Sequence, residues 1–355
     1  MKTSLLRIMI CPVCGGSLAM SAFRKDRNGK EIMEGVLECR KCSRWYPLID
    51  GIPRMLPLSM INKNLLKAFL GKYSGRLPAD AGKEALGEIE KIKEKTSKSF
   101  GFQWNVFSEM FREYEENFLE YIKPLQRPFF RKKLVLDAGC GFGRHTYYAA
   151  KYGAEVVGFD LSDAVGAAYR NCGKMPKVHI VQGDIYNPPF RKDFDFIMSI
   201  GVLHHLPEPE KGFMSLVNLM GPKAKIFIWL YGREGRWFKI HVVEGIIRKV
   251  TTRMPHRLLY CFCYLPAGVY HLCNIIYNSM ARHGATKGAS RFIPFRGYAK
   301  FTFGVKHADA FDLLGTPINN YYTREQVERW GRDAKLKNIS VTSMEGRSWR
   351  LFGGR

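Results

Sequence analysis

Acidic side chains are scarce in this 355-residue chain: 32 Asp and Glu stand against 56 Lys and Arg, for a formal net charge of +24. A field of that sign favours a polyanionic partner, whether nucleic acid, an anionic membrane face or a phosphorylated substrate, without choosing among them. A secretory leader is not expected, because the short apolar run at residues 5–10 leads directly into a cysteine pair with no small-residue cleavage site. Nor do the nine cysteines suggest a secreted disulfide framework: four have metal-site spacing, and Cys140, Cys172, Cys261, Cys263 and Cys273 are scattered. A reducing, cytoplasmic setting is the expectation. Apolar residues are not lacking. At 46% hydrophobic and 25% charged, the chain can bury a core and is not a disordered polyelectrolyte. Its length suits one large domain with appendages or two ordinary ones.

The four grouped cysteines are Cys11 and Cys14, in "CPVCG", and Cys39 and Cys42, in "CRKC". A two-residue gap lets two thiolates turn onto one ion, and two such knuckles complete a closed tetrahedral Zn²⁺ site with no open position. The metal is therefore read as structural, and the alternating "EIMEGVLECR" as a hairpin strand returning to it. A module this small depends on its metal for folding. Together with the tail "RWYPLIDGIPRMLP", the pairs resemble, over residues 8–57, the zinc-ribbon proteins that act as partner subunits of several methyltransferases. The resemblance implies such a module fused to its own enzyme.

Beyond a Lys/Glu-rich helical stretch, "KKLVLDAGCGFGRHTYYAA" places Asp137, Gly139, Gly141 and Gly143 between a short buried strand and a helix starting near Arg144. Glycine suits a turn with unusual backbone angles that must approach a ligand closely. The next strand ends in Asp160, followed by Leu161, and the one after it in Asp184, followed by Ile185. Acids at successive strand ends can accept hydrogen bonds from ribose hydroxyls and an adenine amine. This constellation, over residues 133–231, resembles the class I S-adenosylmethionine-dependent methyltransferases. The resemblance implies that Asp137 and the glycines cradle the methionine part, Asp160 with Leu161 holds the ribose, and Asp184 with Ile185 frames the adenine. An NAD-binding Rossmann domain is the competing reading, but Asp137 would repel a pyrophosphate.

Asn187, Pro188, Pro189 and Phe190 resemble the signature of enzymes that methylate exocyclic base amines. That signature follows a strand, whereas here the tetrapeptide precedes "DFDFIMSI", so it reads as a proline-punctuated loop. The post-strand position holds Gly201, His204 and His205, and "VLHHL" there resembles small-molecule and lipid methyltransferases, including ubiquinone and menaquinone C-methylases. His205 is the candidate general base, with sheet packing or helix capping as the alternative; His204 is read as packing.

The fifth core strand, at residues 224–231, is followed by about ninety inserted residues before a last helix capped by Thr323 and two strands. Within the insertion, "LLYCFCYLPAGVYHLCNIIY" is almost wholly apolar, with Arg248, Lys249, Arg253 and Arg257 before it and Arg282 after. Pro266, Gly268, His271 and Asn274 favour a re-entrant, interfacial or buried pair over a spanning helix. Basic flanks beside apolar helices suit an anionic lipid surface; a cap on the enzyme or on a twin subunit is the equal alternative. "SFGFQWNVF", with Phe100, Phe102, Trp104 and Phe107, is expected to fold over the cofactor, and similar "FG-x-QW" phrases precede the core of methyltransferases with polysaccharide- or lipid-related substrates. Tyr231, Arg233, Tyr321 and Tyr322 are candidates for the acceptor pocket.

The expectation is an α/β protein with a Rossmann-like, seven-stranded methyltransferase sheet. Its parts are a zinc ribbon at 1–60, a helical linker and lid at 61–130, the core at 131–231, a helical insertion at 232–322 and the end of the core at 323–355. The acceptor is expected to be a small, lipidic or saccharide molecule, with peripheral contact to an anionic membrane. The rival is an RNA methyltransferase, because large-subunit ribosomal RNA guanine methylases also carry an amino-terminal zinc ribbon and +24 suits phosphate contacts. A third reading is a cofactor-binding scaffold that activates another enzyme. Oligomeric state is left open.

Overall fold

The computed structural model describes residues 1–78, 87–191, 193–235, 239–282, 299, 301–344 and 348–355. Two compact units emerge: residues 1–235 with 318–355, and residues 236–317.

The first unit is built on one sheet. Its strands are β1 (Leu18–Lys25), β2 (Ile32–Cys39), β3 (Trp45–Ile49), β4 (Ile52–Met55), β5 (Leu134–Ala138), β6 (Glu155–Asp160), β7 (Val178–Gly183), β8 (Phe194–Ile200), β9 (Met220–Tyr231), β10 (Lys337–Met344) and β11 (Ser348–Gly354). The spatial order is β1-β2-β3-β4-β7-β6-β5-β8-β9-β11-β10. The strands β7, β6, β5, β8 and β9 run parallel, and β11 returns antiparallel to β9. In the parallel centre both faces are covered, which is why β7 is buried at every position and β5 reads as an apolar run. The closing Arg324–Asp333 helix is capped as expected: Thr323 accepts from the Gln326 amide while the Gln326 side chain accepts from the Thr323 amide.

The sheet is eleven-stranded, not seven-stranded. The seven expected strands form one contiguous stretch, and β4 pairs in parallel with β7, Arg54 opposite Gln182 and Met55 opposite Gly183, carrying the sheet into the hairpins of the ribbon. An exposed β7 edge would present unpaired amides and carbonyls; β4 covers it. The junction is buried. Arg54 is 4% exposed, and its guanidinium donates to Gln182 Oε1 at 2.9 Å.

The Asn187–Phe190 tetrapeptide is a loop before β8, as its position requires, and it belongs to this junction. Phe190 is buried and bridges Met9, Ile10 N donates to Pro189 O at 2.9 Å, and Arg191 N donates to Ile8 O at 2.8 Å.

In the second unit, wide helical turns at Lys239–Ile247 lead to helices Arg248–Thr251, His256–Phe262, Tyr264–Arg282 and Phe303–Gly315. Residues 236–238, 283–298 and 300 of the expected insertion lie outside the described residues. Phe311, Leu259, Cys263 and Ala267 are buried, and His307 Nε2 donates to Tyr260 O at 2.9 Å.

Because β4 shares the sheet, chelating the metal or substituting Cys14→Ser should destabilise the whole first unit. A drop in melting temperature of about 5 °C or more, seen as a single transition with loss of bound metal, is expected. Two transitions with the upper one unchanged would show that the ribbon is energetically separate.

Candidate functional site

The four cysteine sulfurs, Cys11, Cys14, Cys39 and Cys42, lie within 4.8 Å of one another. Cys14 Sγ is 3.4 Å from both Cys39 Sγ and Cys42 Sγ, and Cys11 Sγ is 3.8 Å from Cys42 Sγ. A tetrahedral site with metal–sulfur bonds of about 2.3 Å needs sulfurs about 3.8 Å apart, so the group can hold one ion. The knuckles are tight: a Cβ on Gly16 would stand 2.8 Å from Cys39 Sγ, and the Lys41 amide points at Cys39 Sγ from 3.4 Å.

At the carboxyl ends of the parallel strands, the glycine turn leaves β5 and is pinned to β6. Gly139 N and Cys140 N donate to Phe159 O at 2.7 and 3.1 Å, and Gly141 N donates to Asp160 Oδ2 at 2.9 Å. Gly139 has φ +85°, and a Cβ there would strike Val202 at 2.2 Å, so only glycine fits. Gly143 closes the turn as the residue before the Arg144–Lys151 helix.

Asp137, at the end of β5, is 1% exposed. Its Oδ2 accepts from Thr146 Oγ1 at 2.6 Å, whereas Oδ1 is buried with no hydrogen-bond partner among the described residues. A buried, unsatisfied carboxylate oxygen is costly unless a ligand donor completes it, which fits the α-ammonium of an amino-acid-bearing cofactor. Burial pushes this carboxyl up to about 7; the Thr146 hydrogen bond opposes the rise and nearby Asp160 adds to it.

Asp160 is partly committed to the fold. Besides the Gly141 amide, it accepts from Ser162 N at 2.8 Å and Ser162 Oγ at 2.7 Å. Leu161 O accepts from Gln182 Nε2 at 3.0 Å. Asp184 accepts from Tyr186 N at 3.0 Å through one oxygen and from Lys93 Nζ at 2.8 Å through the other. Ile185 is buried beside it and its carbonyl accepts from Ser215 Oγ.

Lys93 lies on the Glu88–Val106 helix, which crosses the same strand ends. Along that helix Ser97 Oγ reaches Leu161 O at 3.4 Å, Asn105 Nδ2 reaches Asp163 O at 3.4 Å, and the Trp104 ring stands 3.3 Å from a Cβ placed on Gly141. The aromatic phrase thus folds over the glycine turn. Lys93, Thr146 and Asp163 were missed from sequence. One lysine among many carries no local signal, and only its 5% exposure sets it apart.

Gly201, with φ +77°, follows β8, and a Cβ there would meet nothing nearer than Trp229 at 3.9 Å. His205 Nδ1 is 2.8 Å from Ile318 O. With the carbonyl accepting, the proton sits on Nδ1 and the lone pair on Nε2, the tautomer a base requires. The His205 ring packs 5.1 Å from Phe100 and 5.6 Å from Tyr231. His204, fully buried and stacked 3.8 Å from Tyr231, is a packing residue.

Of the four residues expected at an acceptor pocket, Tyr231 and Tyr321 come together, stacked at 5.6 Å. Tyr322 instead turns into the core against Trp330, and Arg233 is exposed. Asn320 Nδ2 ties this segment to the carbonyls of His204 and Leu206, both at 3.1 Å.

Comparison with known proteins places residues 136–228 in a methyltransferase domain family and residues 2–51 in the Trm112p-like protein family. An uncharacterised protein of Synechococcus is 34% identical over 109 residues, 29% of this chain and 26% of that one, so the chain spans about a quarter of that relative's length. A ubiquinone biosynthesis O-methyltransferase of Coxiella burnetii is 26% identical over 50% of this chain and 71% of its own. The norajmaline N-methyltransferase of Rauvolfia serpentina is 26% identical over 62% and 77% respectively. The chain joins a Trm112p-like amino-terminal domain to an S-adenosylmethionine-dependent class I methyltransferase core.

Proposed function

We propose that the protein transfers a methyl group from S-adenosyl-L-methionine to a small, lipidic or saccharide acceptor, and that its four cysteines hold a structural Zn²⁺. The observation that carries the reading is the row of carboxylates at the tips of β5, β6 and β7, with Asp137 Oδ1 buried and unsatisfied. The names of two relatives, a ubiquinone biosynthesis O-methyltransferase and a norajmaline N-methyltransferase, support a small-molecule acceptor. We place the enzyme in the cytoplasm, peripheral to a membrane.

The donor supplies an electrophilic sulfonium methyl and leaves without its positive charge. Asp137 would take the donor's α-ammonium, Asp160 and Leu161 the ribose, and Asp184 with Ile185 the adenine. His205, through Nε2, would accept a proton from an acceptor hydroxyl, amine or acidic carbon as the new bond forms. Most of the rate would come from orientation, since a displacement of this kind depends on near-attack geometry. The net charge of +24 also favours RNA as an acceptor, and a scaffold activating another methyltransferase would need the same cofactor site without turnover.

Incubating an extract with methyl-labelled donor should put label into the organic-soluble or small-molecule fraction. Label confined to RNA would reverse the acceptor class, and absence of any product with the pure protein alone would favour the scaffold.

The raised carboxyl of Asp137 gives a pH signature. An acid raised from 3.8 to about 7 on folding contributes stability below its unfolded value and loses it as pH rises through about 7. Free protein should therefore melt lower at pH 8 than at pH 6, while donor affinity rises by up to about tenfold as the carboxylate ionises. Asp137→Asn should flatten both slopes in thermal melts and calorimetry. A wild-type affinity independent of pH across this interval would contradict the role given to Asp137.

His205→Ala should lower kcat by about 10²–10³ while leaving donor affinity within a few-fold. If kcat changes little and only the melting temperature falls, His205 is packing.

A further inference from the structure

The second unit presents to solvent a surface that a water-soluble protein normally buries. Along the His256–Met280 run, which is long and apolar enough by composition to cross a membrane, only 22% of the most apolar window is buried. Its two faces differ in contact rather than polarity. Leu259, Cys263, Ala267 and Asn274 face the interior of the unit. On the opposite side Leu258, Phe262, Leu265, Val269, Leu272 and Ile276 are between 39% and 68% exposed. Spacings of three and four residues put these six on one stripe. Ile246, Ile247 and Val250 extend the apolar surface onto the preceding turns.

In sequence, residues 245–308 contain ten Lys or Arg and no Asp or Glu, with Asp309 and Asp312 following on the Phe303–Gly315 helix. Lys249, Arg253 and Arg257, all exposed, lead into the apolar stripe. We infer that this face docks on an anionic lipid bilayer, lying in the interface with the six apolar side chains inserted and the three cations among the headgroups. Aliphatic side chains flanked by the exposed Lys249, Arg253 and Arg257 match such a surface in both layers, acyl and headgroup.

A second copy of the chain is a poorer occupant. A two-fold interface through the stripe would bury the aliphatic side chains but give Lys249, Arg253 and Arg257 no acid from residues 245–308 of the other copy. RNA would meet the cations but leave the aliphatic stripe wet. A spanning arrangement fits badly too, because the helix packs through its other face on Phe303–Gly315: Tyr264 lies 4.1 Å from His307 and His271 5.7 Å from Phe303, and that helix also carries Lys306 and Asp309.

The inference does not depend on methyl transfer, and its test needs no donor. Full-length, metal-loaded protein is floated with vesicles of phosphatidylcholine alone or with 30% phosphatidylserine. Binding to the anionic vesicles, weakening as salt rises and reversed by alkaline carbonate without detergent, is expected. Replacing Lys249, Arg253 and Arg257 together by Ala should weaken binding about a hundred-fold, at about 1 kcal/mol per cation. Leu265→Asp with Leu272→Asp should abolish it even at low salt, with unchanged circular dichroism and metal content. A second pair, Val269→Ser with Ile276→Ser, serves if the aspartates unfold the unit.

Three results would overturn the inference. One is protein that ignores anionic vesicles while sedimenting as a dimer that the same substitutions dissociate. Another is protein that ignores vesicles yet retains RNA through the three cations. The last is protein released from vesicles only by detergent, which means the helix spans.

Discussion

The pairing of β4 with β7 is the contact on which the rest of the first unit depends. It joins residues 128 positions apart in sequence and turns two domains into one sheet. The bond from Arg54 to Gln182 does not end there. Gln182 Nε2 donates onward to Leu161 O at 3.0 Å and Asp163 Oδ1 at 3.3 Å, and Asn62, just beyond the ribbon, donates to Asp163 Oδ2 at 2.9 Å. The ribbon flank thus grips the backbone that follows β6, where a ribose would be held. Desolvation lowers the Arg54 guanidinium to about 10, with the Asp163 charge opposing; burying a cation at such a seam is tolerable only where hydrogen bonds hold it. With the proposed metal held by its four cysteines, the module would be a stiff support for such a seam, since its folding would be fixed by four sulfurs rather than by a large core.

What was legible in the sequence follows from the range of each signal. The cysteine pairs, glycine turn, strand-end acids and Thr323 helix cap are local patterns, and each sits where its spacing puts it. The eleven-stranded sheet was not legible, because the Ile52–Met55 strand has four residues and its parallel partner lies far away. No local pattern specifies which edge so short a strand will join. Lys93 was hidden for the opposite reason: its neighbours Lys91, Lys95 and Lys98 look the same, and only tertiary packing buries one of them.

The strand-end acids turned out to have unequal freedom. Asp160 spends both oxygens on Gly141 and Ser162, and Asp184 is shared between Tyr186 and Lys93. Among the described residues, Asp137 alone of the three keeps an oxygen with no partner. Position at a strand end therefore does not measure availability. A carboxylate that holds the turn in shape contributes through geometry, whereas one held neutral by burial contributes through the charge it gains when a cation arrives. In the proposed function Asp137 is of the second kind, and Thr146, in the first turn of the following helix, fixes its orientation through Oδ2.

The basic charge of the chain is segregated rather than uniform. Ten Lys and Arg with no opposing acid fall within 64 residues, so a large share of the +24 arises from less than a fifth of the chain. In the first unit, by contrast, basic side chains are repeatedly paired with acids: Lys72 and Arg24 share Glu34, Lys151 and Arg127 share Glu115, and Lys93 has Asp184. Paired charges add little to the far field, since each dipole decays faster than a monopole and is screened within about 10 Å at ordinary ionic strength. Relative to its size, the unit that also exposes an aliphatic stripe therefore carries the denser net positive charge. A uniform coat of cations would favour any polyanion; cations gathered around an apolar surface restrict the match to partners that are anionic at one depth and oily at the next.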